Sequence, residues 1–436
     1  MNFADTVAYF RHLGFELRPN AKFGLEQFEA LTAELGHPER DFLSVHIAGT
    51  NGKGSVAALV ESALRAAGLR VGLYTSPHLQ RITERVRIAG DEIAPAAFAA
   101  AFTIVHAAIE RLLARGAWPH APSFFETLTA TGFVAFRDAR VEIAVAEVGM
   151  GGRLDATNVL LPAAAAITAL GLDHEKYLGS TVAAIAGEKA GIMKPGLAVV
   201  SGAQPAEAAA VLKRRAAAVG ARLTPAAPLL GAPVADAEGA YRFCSEYLGQ
   251  PIELRLGMPG RHQVENARVA LRVCGILAAA GGRPTAESVA AGFAAARWPG
   301  RLEKIGDRPP VWLDGAHNPL AARVLRAFIE ERNWRPILIY GSLRDKAIAE
   351  ISELLLPAAQ HVILTAPASP RALSPGALAQ QVTTVAAPVE QAASLAEAIA
   401  RARYLAGDST PILITGSLYL VGEARTLLAS EVAGAV

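Results

Sequence analysis

A glycine-rich turn between an apolar segment and a helix-forming segment constrains the fold of this chain more than any other feature. The turn reads GTNGKGS at residues 49–55 and follows the apolar run FLSVHIA at residues 42–48. A strand–turn–helix unit of this kind surrounds an anion with backbone N–H groups at a helix N-terminus, and a lysine at the helix start adds a positive charge. The turn therefore predicts a phosphate site at the carboxyl end of a buried strand.

The turn departs from the strict P-loop pattern at two positions. Ile47 stands where the first glycine is expected, and Gly54 replaces the serine or threonine that usually holds magnesium. Another group must then hold the metal. The alternative is a glycine-rich βα turn that binds nothing, but Lys53 at the start of the helix favours phosphate.

Strand-like and helix-like segments alternate along most of the chain. The strands are apolar on both faces, which is typical of a parallel sheet covered by helices. Predicted strands are 42–48, 70–75, 141–147 and 163–171, and predicted helices are 54–67, 95–115, 123–136 and 181–193. Residues 222–257 read as irregular with short strand-like pieces, and a long helix follows at 263–280.

The segment RWPGRLEKI, residues 297–305, interrupts this alternation at Pro299 and Gly300. Beyond it the alternation restarts with the apolar runs VWLDG, RPILIYG, HVILTA and PILITG. We therefore predict an α/β protein of two domains. Residues 1–298 form a P-loop-containing, parallel-sheet ATPase domain, and residues 299–436 form a smaller, Rossmann-like α/β domain.

Charge and cysteine usage exclude several classes of function. Lys plus Arg number 42 against 40 for Asp plus Glu, so no basic field marks a nucleic-acid-binding protein. The two cysteines, Cys244 and Cys274, lie too far apart in sequence for a CxxC metal or redox motif. The N-terminal residues MNFADTVAYF lack the basic region of a signal peptide. We expect a cytoplasmic monomer that acts on small molecules, without nucleic-acid or membrane partners.

Polar residues follow three more of the predicted strands. Ser76 comes just after strand 70–75, Glu147 closes strand 141–147, and His174 follows strand 163–171. Ligands of open α/β sheets bind beyond the carboxyl ends of the strands, and a carboxylate closing an apolar strand is costly unless it faces solvent or a cation. Each residue alone fits a turn serine, a rim carboxylate or a capping histidine. Their shared edge beside the phosphate turn favours a metal site.

Several segments taken together resemble the folylpolyglutamate synthase and dihydrofolate synthase family, which belongs to the wider group of Mur-type ligases. They are HIAGTNGKGS, YTSPHL, EVGMGGRLDATN, LDHEKYLG, GEKAGIMK and DGAHNP, and the matched region runs from about residue 22 to residue 319. The resemblance implies an ATP- and Mg²⁺-dependent ligase. Such an enzyme joins L-glutamate to a folate, or to dihydropteroate, through an acyl phosphate.

The resemblance also implies roles for individual residues. The expected ATP-binding residues are Asn51, Gly52, Lys53, Gly54, Asn266, Arg301 and Asp314. The expected magnesium ligands are Ser76, Glu147 and His174. The segments that resemble the pterin-substrate site contain Phe23, Gly24, Leu25, Ser123, Phe124, Phe125, Glu126, Leu154, Asp155 and Ala156. The expected catalytic residues are Lys53, Lys189 and His317, and Lys189 matches a lysine that is carbamylated in this family.

Sequence alone gives plainer interpretations of several of these residues. Lys189 reads as a solvated helix lysine, Asn266 as an ordinary helix residue and Arg301 as a linker charge. Phe124 and Phe125 read as core residues. Ser123 stands where the family often has threonine, and residues 18–22 do not align with it. The choice between a folate, dihydropteroate or both therefore stays open.

Two other functions compete with this interpretation. A Mur ligase of cell-wall synthesis carries an extra nucleotide-sugar domain, and only about forty residues precede the first predicted strand here. Gly54 also favours the folate branch. A P-loop nucleotide-binding protein without ligase activity would not need the second α/β domain with its DGAHNP segment.

Overall fold

The structure, a computed structural model, describes residues 1–14, 24–118, 121–382 and 387–434. Phe23, one of the predicted pterin-site residues, lies outside the described residues. The chain divides into two compact units. The first contains Met1–Pro233, Arg242–Leu256 and Val264–Ala296, and the second contains Val234–Tyr241, Gly257–Gln263 and Arg297–Val436.

The first unit is built on an eight-stranded sheet. Its strands are β1 Leu43–Ala48, β2 Val71–Tyr74, β3 Val86–Ile88, β4 Asp91–Glu92, β5 Ile143–Glu147, β6 Ala164–Ile167, β7 Ala198–Ser201 and β8 Arg222–Pro225. Their order is β4-β3-β2-β5-β1-β6-β7-β8, and only β3 and β4 run antiparallel to their neighbours. The prediction of a parallel sheet covered on both faces is confirmed.

One predicted strand is too long. The segment 163–171 was expected to be extended throughout, but β6 ends at Ile167. The backbone beyond it makes other hydrogen bonds, because the N–H groups of Thr50 and Asn51 both donate to the carbonyl oxygen of Ala169. The N–H of Leu170 donates to the side chain of Gln204. These residues therefore form a loop that is bound to the phosphate turn.

Helices flank this sheet as the alternation predicts. They are α1 Phe3–Leu13, α2 Glu26–Glu34, α3 Lys53–Ala66, α4 Pro95–Ala114, α5 Phe124–Asp138, α6 Glu175–Leu178, α7 Val182–Lys189, α8 Ala206–Val219, α9 His262–Ala279 and α10 Ala286–Ala295. A short 3-10 helix, Ala190–Ile192, extends α7. The predicted helices 54–67, 95–115, 123–136, 181–193 and 263–280 are confirmed.

Helix α4 is long and apolar enough to cross a membrane by length and composition alone. Its side chains instead fill the core of the first unit, where Phe98, Phe102, Val105 and Ile109 are buried. The ring of Phe102 packs 5.2 Å from that of Phe10 on α1. These contacts are those of a core helix.

The segment predicted to be irregular contains a β-hairpin. Strands β9 Val234–Ala235, β10 Ala240–Tyr247 and β11 Gln250–Pro259 form a sheet of order β11-β10-β9. Leu248 and Gly249 join β10 to β11, and both have positive φ, as a tight two-residue hairpin turn requires. Alternate residues of β10 are buried, and this period of two is the sequence signal that was missed.

The second unit has its own six-stranded sheet. Its strands are β12 Glu303–Asp307, β13 Pro310–Asp314, β14 Ile337–Tyr340, β15 His361–Leu364, β16 Val389–Gln391 and β17 Ile412–Thr415, in the order β12-β13-β17-β14-β15-β16. Only β12 is antiparallel to its neighbour. Its helices are α11 Pro319–Glu331, α12 Ile348–Leu355, α13 Pro375–Gln381, α14 Leu395–Ala406 and α15 Leu418–Gly434. The smaller C-terminal α/β fold is confirmed.

Candidate active site

The phosphate turn is built around a left-handed glycine. Gly52 precedes α3 with a φ of +88°, a conformation that costs glycine little. A Cβ at this position would lie 2.3 Å from Oδ1 of Asn266 on α9. Glycine therefore permits both the turn and the close approach of α9. The structure brings Asn266 against the turn, where the family resemblance implies an ATP contact.

Backbone groups at the start of the turn are hydrogen-bonded to the loop that follows β6. Thr50 and Asn51 donate their N–H groups to Ala169, and the Thr168 hydroxyl donates to the Asn51 carbonyl oxygen at 2.7 Å. The N–H groups in the first turn of a helix have no intrahelical partners. The start of α3, at Lys53 and Gly54, is therefore the part of the turn best suited to an anion.

A buried carboxylate lies beside this turn. Glu147 ends β5 with 4% of its surface exposed, and its Oε2 accepts a hydrogen bond from the N–H of Ser76 at 3.2 Å. Its Oε1 lies 3.9 Å from Nζ of Lys53. Parallel strands β2, β5 and β1 bring these residues together, because their carboxyl ends share one edge of the sheet.

The predicted magnesium ligands are only partly assembled by direct contact. Ser76 and Glu147 are hydrogen-bonded, whereas His174 lies at the start of α6, partly exposed, with a left-handed φ of 53°. Among the described residues, no group of three or more His, Cys, Asp or Glu side chains forms a metal site by itself. A single carboxylate beside a phosphate turn suits Mg²⁺, which uses one or two carboxylates together with water and substrate phosphates.

Lys189 is not the solvated lysine that its helix suggests. It ends α7 with 4% of its surface exposed. Burial, followed by the positive charge of Lys53, lowers the pKa of Lys189 to about 7, and the carboxylates of Asp173, Asp155 and Glu147 oppose this shift. The side chain is therefore largely neutral above that pH and lies among the charges of the candidate site.

The two phenylalanines at the start of α5 are half-buried. A Cβ on Gly149, in the loop after Glu147, would lie 2.4 Å from the ring of Phe125. The ring of Phe124 packs 5.3 Å from that of Phe10 and lies beneath the guanidinium of Arg85, also at 5.3 Å. These rings contact both the core and the loop that follows Glu147. Aromatic rings at such an edge suit a flat ligand such as a pterin.

Ser123 and Glu126 flank these rings and bind each other. The Ser123 side chain and N–H both donate to Oε2 of Glu126, at 2.6 and 2.7 Å, and the N–H of Glu126 donates to the Ser123 hydroxyl at 3.3 Å. This is a capping box at the start of α5, which explains both residues structurally. It also fixes the position of Phe124 and Phe125.

Asp155 is buried within the segment that resembles a substrate site. Its Oδ2 accepts from the N–H of Met150 at 3.0 Å, and its Oδ1 accepts from the N–H and the hydroxyl of Thr157 at 3.0 and 2.5 Å. Burial raises the pKa of Asp155, and these hydrogen bonds counteract that effect. Leu154 is half-buried and Ala156 is buried. Gly24 and Leu25 precede α2, and no described contact joins them to Asp155.

Sequence reasoning missed one residue that joins the phosphate strand to this segment. His46, on β1, is fully buried, and its Nε2 lies 2.8 Å from the Thr157 hydroxyl. The available signal was a histidine inside an otherwise apolar strand, where a buried polar group needs a hydrogen-bond partner.

The second unit gathers three more predicted residues. The N–H groups of Leu302 and Ala316 both donate to the carboxylate of Asp314 at 2.9 Å. Burial raises the pKa of Asp314, and the positive charge of Arg301 opposes the shift. Nδ1 of His317 donates to the carbonyl oxygen of Gly315 at 2.7 Å. Arg301, Asp314 and His317 therefore lie around the end of β13.

A phosphate turn whose lysine lies beside a buried carboxylate, in a chain with a second α/β unit, is the arrangement of the Mur ligase class. Residues 47–274 match the Mur ligase middle domain, and residues 300–418 match the Mur ligase, glutamate ligase domain. The chain is 37% identical to the folylpolyglutamate synthase of Lacticaseibacillus casei over 98% of its own length and 99% of that protein. It is also 37% identical to the dihydrofolate synthase/folylpolyglutamate synthase of Mycobacterium tuberculosis, over 93% and 90% of the two chains.

A solved structure agrees with these relatives. The Mycobacterium tuberculosis folylpolyglutamate synthase complexed with ADP and AMPPCP has a TM-score of 0.89 to this chain at 36% identity, over 98% of this chain and 99% of that one. The chain belongs to the folylpolyglutamate synthase and dihydrofolate synthase family. It is thus an ATP-dependent ligase of the folate branch, and the cell-wall ligase and non-ligase alternatives are rejected.

Proposed function

We propose that this enzyme joins L-glutamate to a folate, and also to dihydropteroate, with ATP driving the reaction through an acyl phosphate. The observation that carries the proposal is the placement of Lys53, Glu147 and Lys189 beside the phosphate turn in a chain of this family. Residues 1–298 would contain the ATP and pterin sites, and residues 299–436 the glutamate-ligase function. A cytoplasmic, monomeric enzyme without nucleic-acid or membrane partners is part of this proposal.

The chemistry explains why such a site is needed. A carboxylate is a poor electrophile, so transfer of the γ-phosphoryl group of ATP first converts it to an acyl phosphate. The neutral amine of glutamate then attacks the acyl carbon, phosphate leaves with the electron pair of the C–O bond, and the nitrogen loses a proton. Catalysis of phosphoryl transfer depends mainly on positioning and on neutralising charge.

The residues of the first unit fit these tasks. The turn residues Asn51, Gly52 and Gly54 bind the ATP phosphates, Lys53 neutralises their charge, and Asn266 fixes the turn. The pterin ring lies against the segments that contain Phe124, Phe125 and Leu154–Ala156. The substrate contacts of Gly24, Leu25, Ser123 and Glu126 stay predictions, as do the ATP contacts of Arg301 and Asp314 and the catalytic role of His317.

Magnesium fits the carboxylate beside the turn. Glu147 would hold the ion, with Ser76 and His174 as the other predicted ligands, because a buried carboxylate at a phosphate site suits a hard cation. The bound ion would supply positive charge to the phosphates. We further propose that Lys189 carries a carbamate, which replaces its cation with an anion beside the same site.

The first experiment tests both substrates. Purified protein is incubated with ATP, L-glutamate and either tetrahydrofolate or dihydropteroate, and the products are identified by mass. We expect a one-glutamate adduct of each substrate, because the same pterin-side segments serve both. Reactions without glutamate, and reactions without the pterin compound, are the controls. Product from a single substrate contradicts the dual activity, and no product from either contradicts the proposed function.

Glu147→Gln is expected to raise the magnesium concentration required for half-maximal activity by roughly tenfold or more, since the amide keeps the shape but loses the anionic oxygen that Mg²⁺ prefers. The measurement is a magnesium titration of ligase activity at saturating substrates. The matched control is Glu253→Gln on the exposed face of β11. A Glu147→Gln titration curve that coincides with the control would remove Glu147 from the metal site.

A further inference from the structure

His46 is a buried histidine on the strand that leads into the phosphate turn, yet the only described hydrogen bond of its side chain runs to Thr157, next to the predicted substrate segment Leu154–Ala156. Its Nε2 lies 2.8 Å from the hydroxyl of Thr157, and both residues are fully buried. No hydrogen-bond partner for its Nδ1 lies among the described residues. A buried ring nitrogen without a partner costs free energy, so its presence in this strand calls for an explanation such as a functional role.

The polarity of this contact follows from the carboxylate beyond it. Thr157 has one hydroxyl proton, and the hydroxyl lies 2.5 Å from Oδ1 of Asp155. Burial raises the pKa of Asp155, but both of its oxygens accept backbone N–H groups, from Thr157 and from Met150, and these donors favour the ionised form. A hydrogen bond to a charged acceptor is stronger than one to a neutral imidazole. Thr157 therefore donates to Asp155 and accepts from Nε2–H of His46.

This polarity assigns the imidazole a single neutral tautomer, with the proton on Nε2. Burial and the positive charge of Lys194 lower the pKa of His46 to about 3, so the ring remains neutral at physiological pH. The Nε2–H holds the Thr157 hydroxyl in the orientation that donates to Asp155. Asp155 in turn binds the N–H of Met150 in the loop that follows Glu147.

We propose that His46 is a positioning residue for the pterin substrate, acting through Thr157 on the carboxylate of Asp155. The inference rests on the proposed function, in which Leu154–Ala156 is part of the substrate site. The proposal gives β1 and the turn after it different tasks. The residues after the strand serve ATP, whereas His46 within it serves the other substrate, although it lies only three residues before Gly49.

The test is a set of four variants: His46→Leu, His46→Gln, Thr157→Val and the double variant His46→Leu/Thr157→Val. Steady-state kinetics are measured for the folate and for ATP. We expect His46→Leu to raise the KM for the folate roughly tenfold, a loss typical of removing one partner of a buried hydrogen bond, with kcat and the KM for ATP nearly unchanged. Glutamine carries an amide donor at a similar reach and should restore most of the loss.

The double variant tests the route. If His46 acts only through Thr157, the double variant has the same KM as Thr157→Val, because without the threonine hydroxyl the imidazole has nothing left to orient. Additive losses would overturn the proposal, as would an equal rise in the KM for ATP or a His46→Gln variant as impaired as His46→Leu. A wild-type enzyme that forms no product would instead contradict the proposed function.

The tautomer gives a readout that requires neither activity nor a variant that folds well. In nitrogen-15 NMR of histidine-labelled wild-type protein, the imidazole assigned to His46 should carry its proton on Nε2 at about pH 7 and should not titrate down to about pH 5. Assignment separates it from His78 and His262, whose pKa values are also lowered by burial. Thr157→Val should perturb that signal. A proton on Nδ1 instead would overturn the proposed polarity and with it the positioning role.

Discussion

Lys53→Ala is expected to lower kcat/KM for ATP by roughly 100-fold or more, because it removes one preorganised positive charge from a phosphoryl-transfer site. Lys53 begins α3, and its Nζ lies 3.9 Å from Glu147 and 3.2 Å from the carbonyl oxygen of Thr50. Those contacts fix the ammonium before the substrate arrives. The loss of activity should therefore include a fall in kcat and should not be limited to a rise in the KM for ATP.

The fold should survive the substitution, because alanine is the best helix former and the side chain lies at the first residue of α3. The measurement pairs kinetics with thermal unfolding, and the matched control is Lys213→Ala on the exposed face of α8. Near-normal turnover by Lys53→Ala at an unchanged unfolding temperature would remove Lys53 from catalysis. A fall in stability to match the fall in rate would assign the residue a structural role instead.

The parts of the fold that could be predicted are those fixed by local pattern. Strands β1, β2 and β5 are rich in apolar residues at consecutive positions, apart from Ser44, His46 and Glu147, so their sequence indicates a sheet covered on both faces. Since the carboxyl ends of such strands share one edge, the placement of Ser76 and Glu147 beside the phosphate turn followed from their positions in sequence. The structure joins them by a hydrogen bond.

The parts of the fold and of the site that could not be predicted depend on contacts between residues far apart in sequence. The end of β6 could not be predicted, because residues 168–171 are bound by the phosphate turn and by Gln204 rather than by a neighbouring strand. The burial of Lys189 likewise comes from its neighbours in space, since a lysine at the end of a helix is usually solvated. The network from His46 to Asp155 spans more than a hundred residues, and only the odd presence of histidine in β1 signalled it.

Substitution of Lys189 is the second change for which we expect a large loss of activity. Carbamate forms by attack of a neutral amine on carbon dioxide, so a buried lysine whose pKa is lowered to about 7 is suited to it. A free ammonium in that position would repel both Lys53 and a bound magnesium ion, whereas a carbamate would attract them. The fraction of Lys189 that carries a carbamate should rise with pH through about 7, because the neutral amine predominates above the pKa.

Lys189→Ala is therefore expected to lose roughly 100-fold or more of its activity, and so is Lys189→Arg, which keeps the charge but cannot form a carbamate. Short carboxylic acids should restore part of the activity of Lys189→Ala by placing an anion in the vacated space, but none of the activity of Lys189→Arg, whose side chain fills that space.

The direct measurement is carbon-13 NMR after incubation with labelled bicarbonate. A carbamate signal should be present in the wild-type protein and absent from both variants. A fully active wild-type enzyme without that signal would show that Lys189 acts as a plain amine, and equal rescue of both variants would show that the acids act elsewhere.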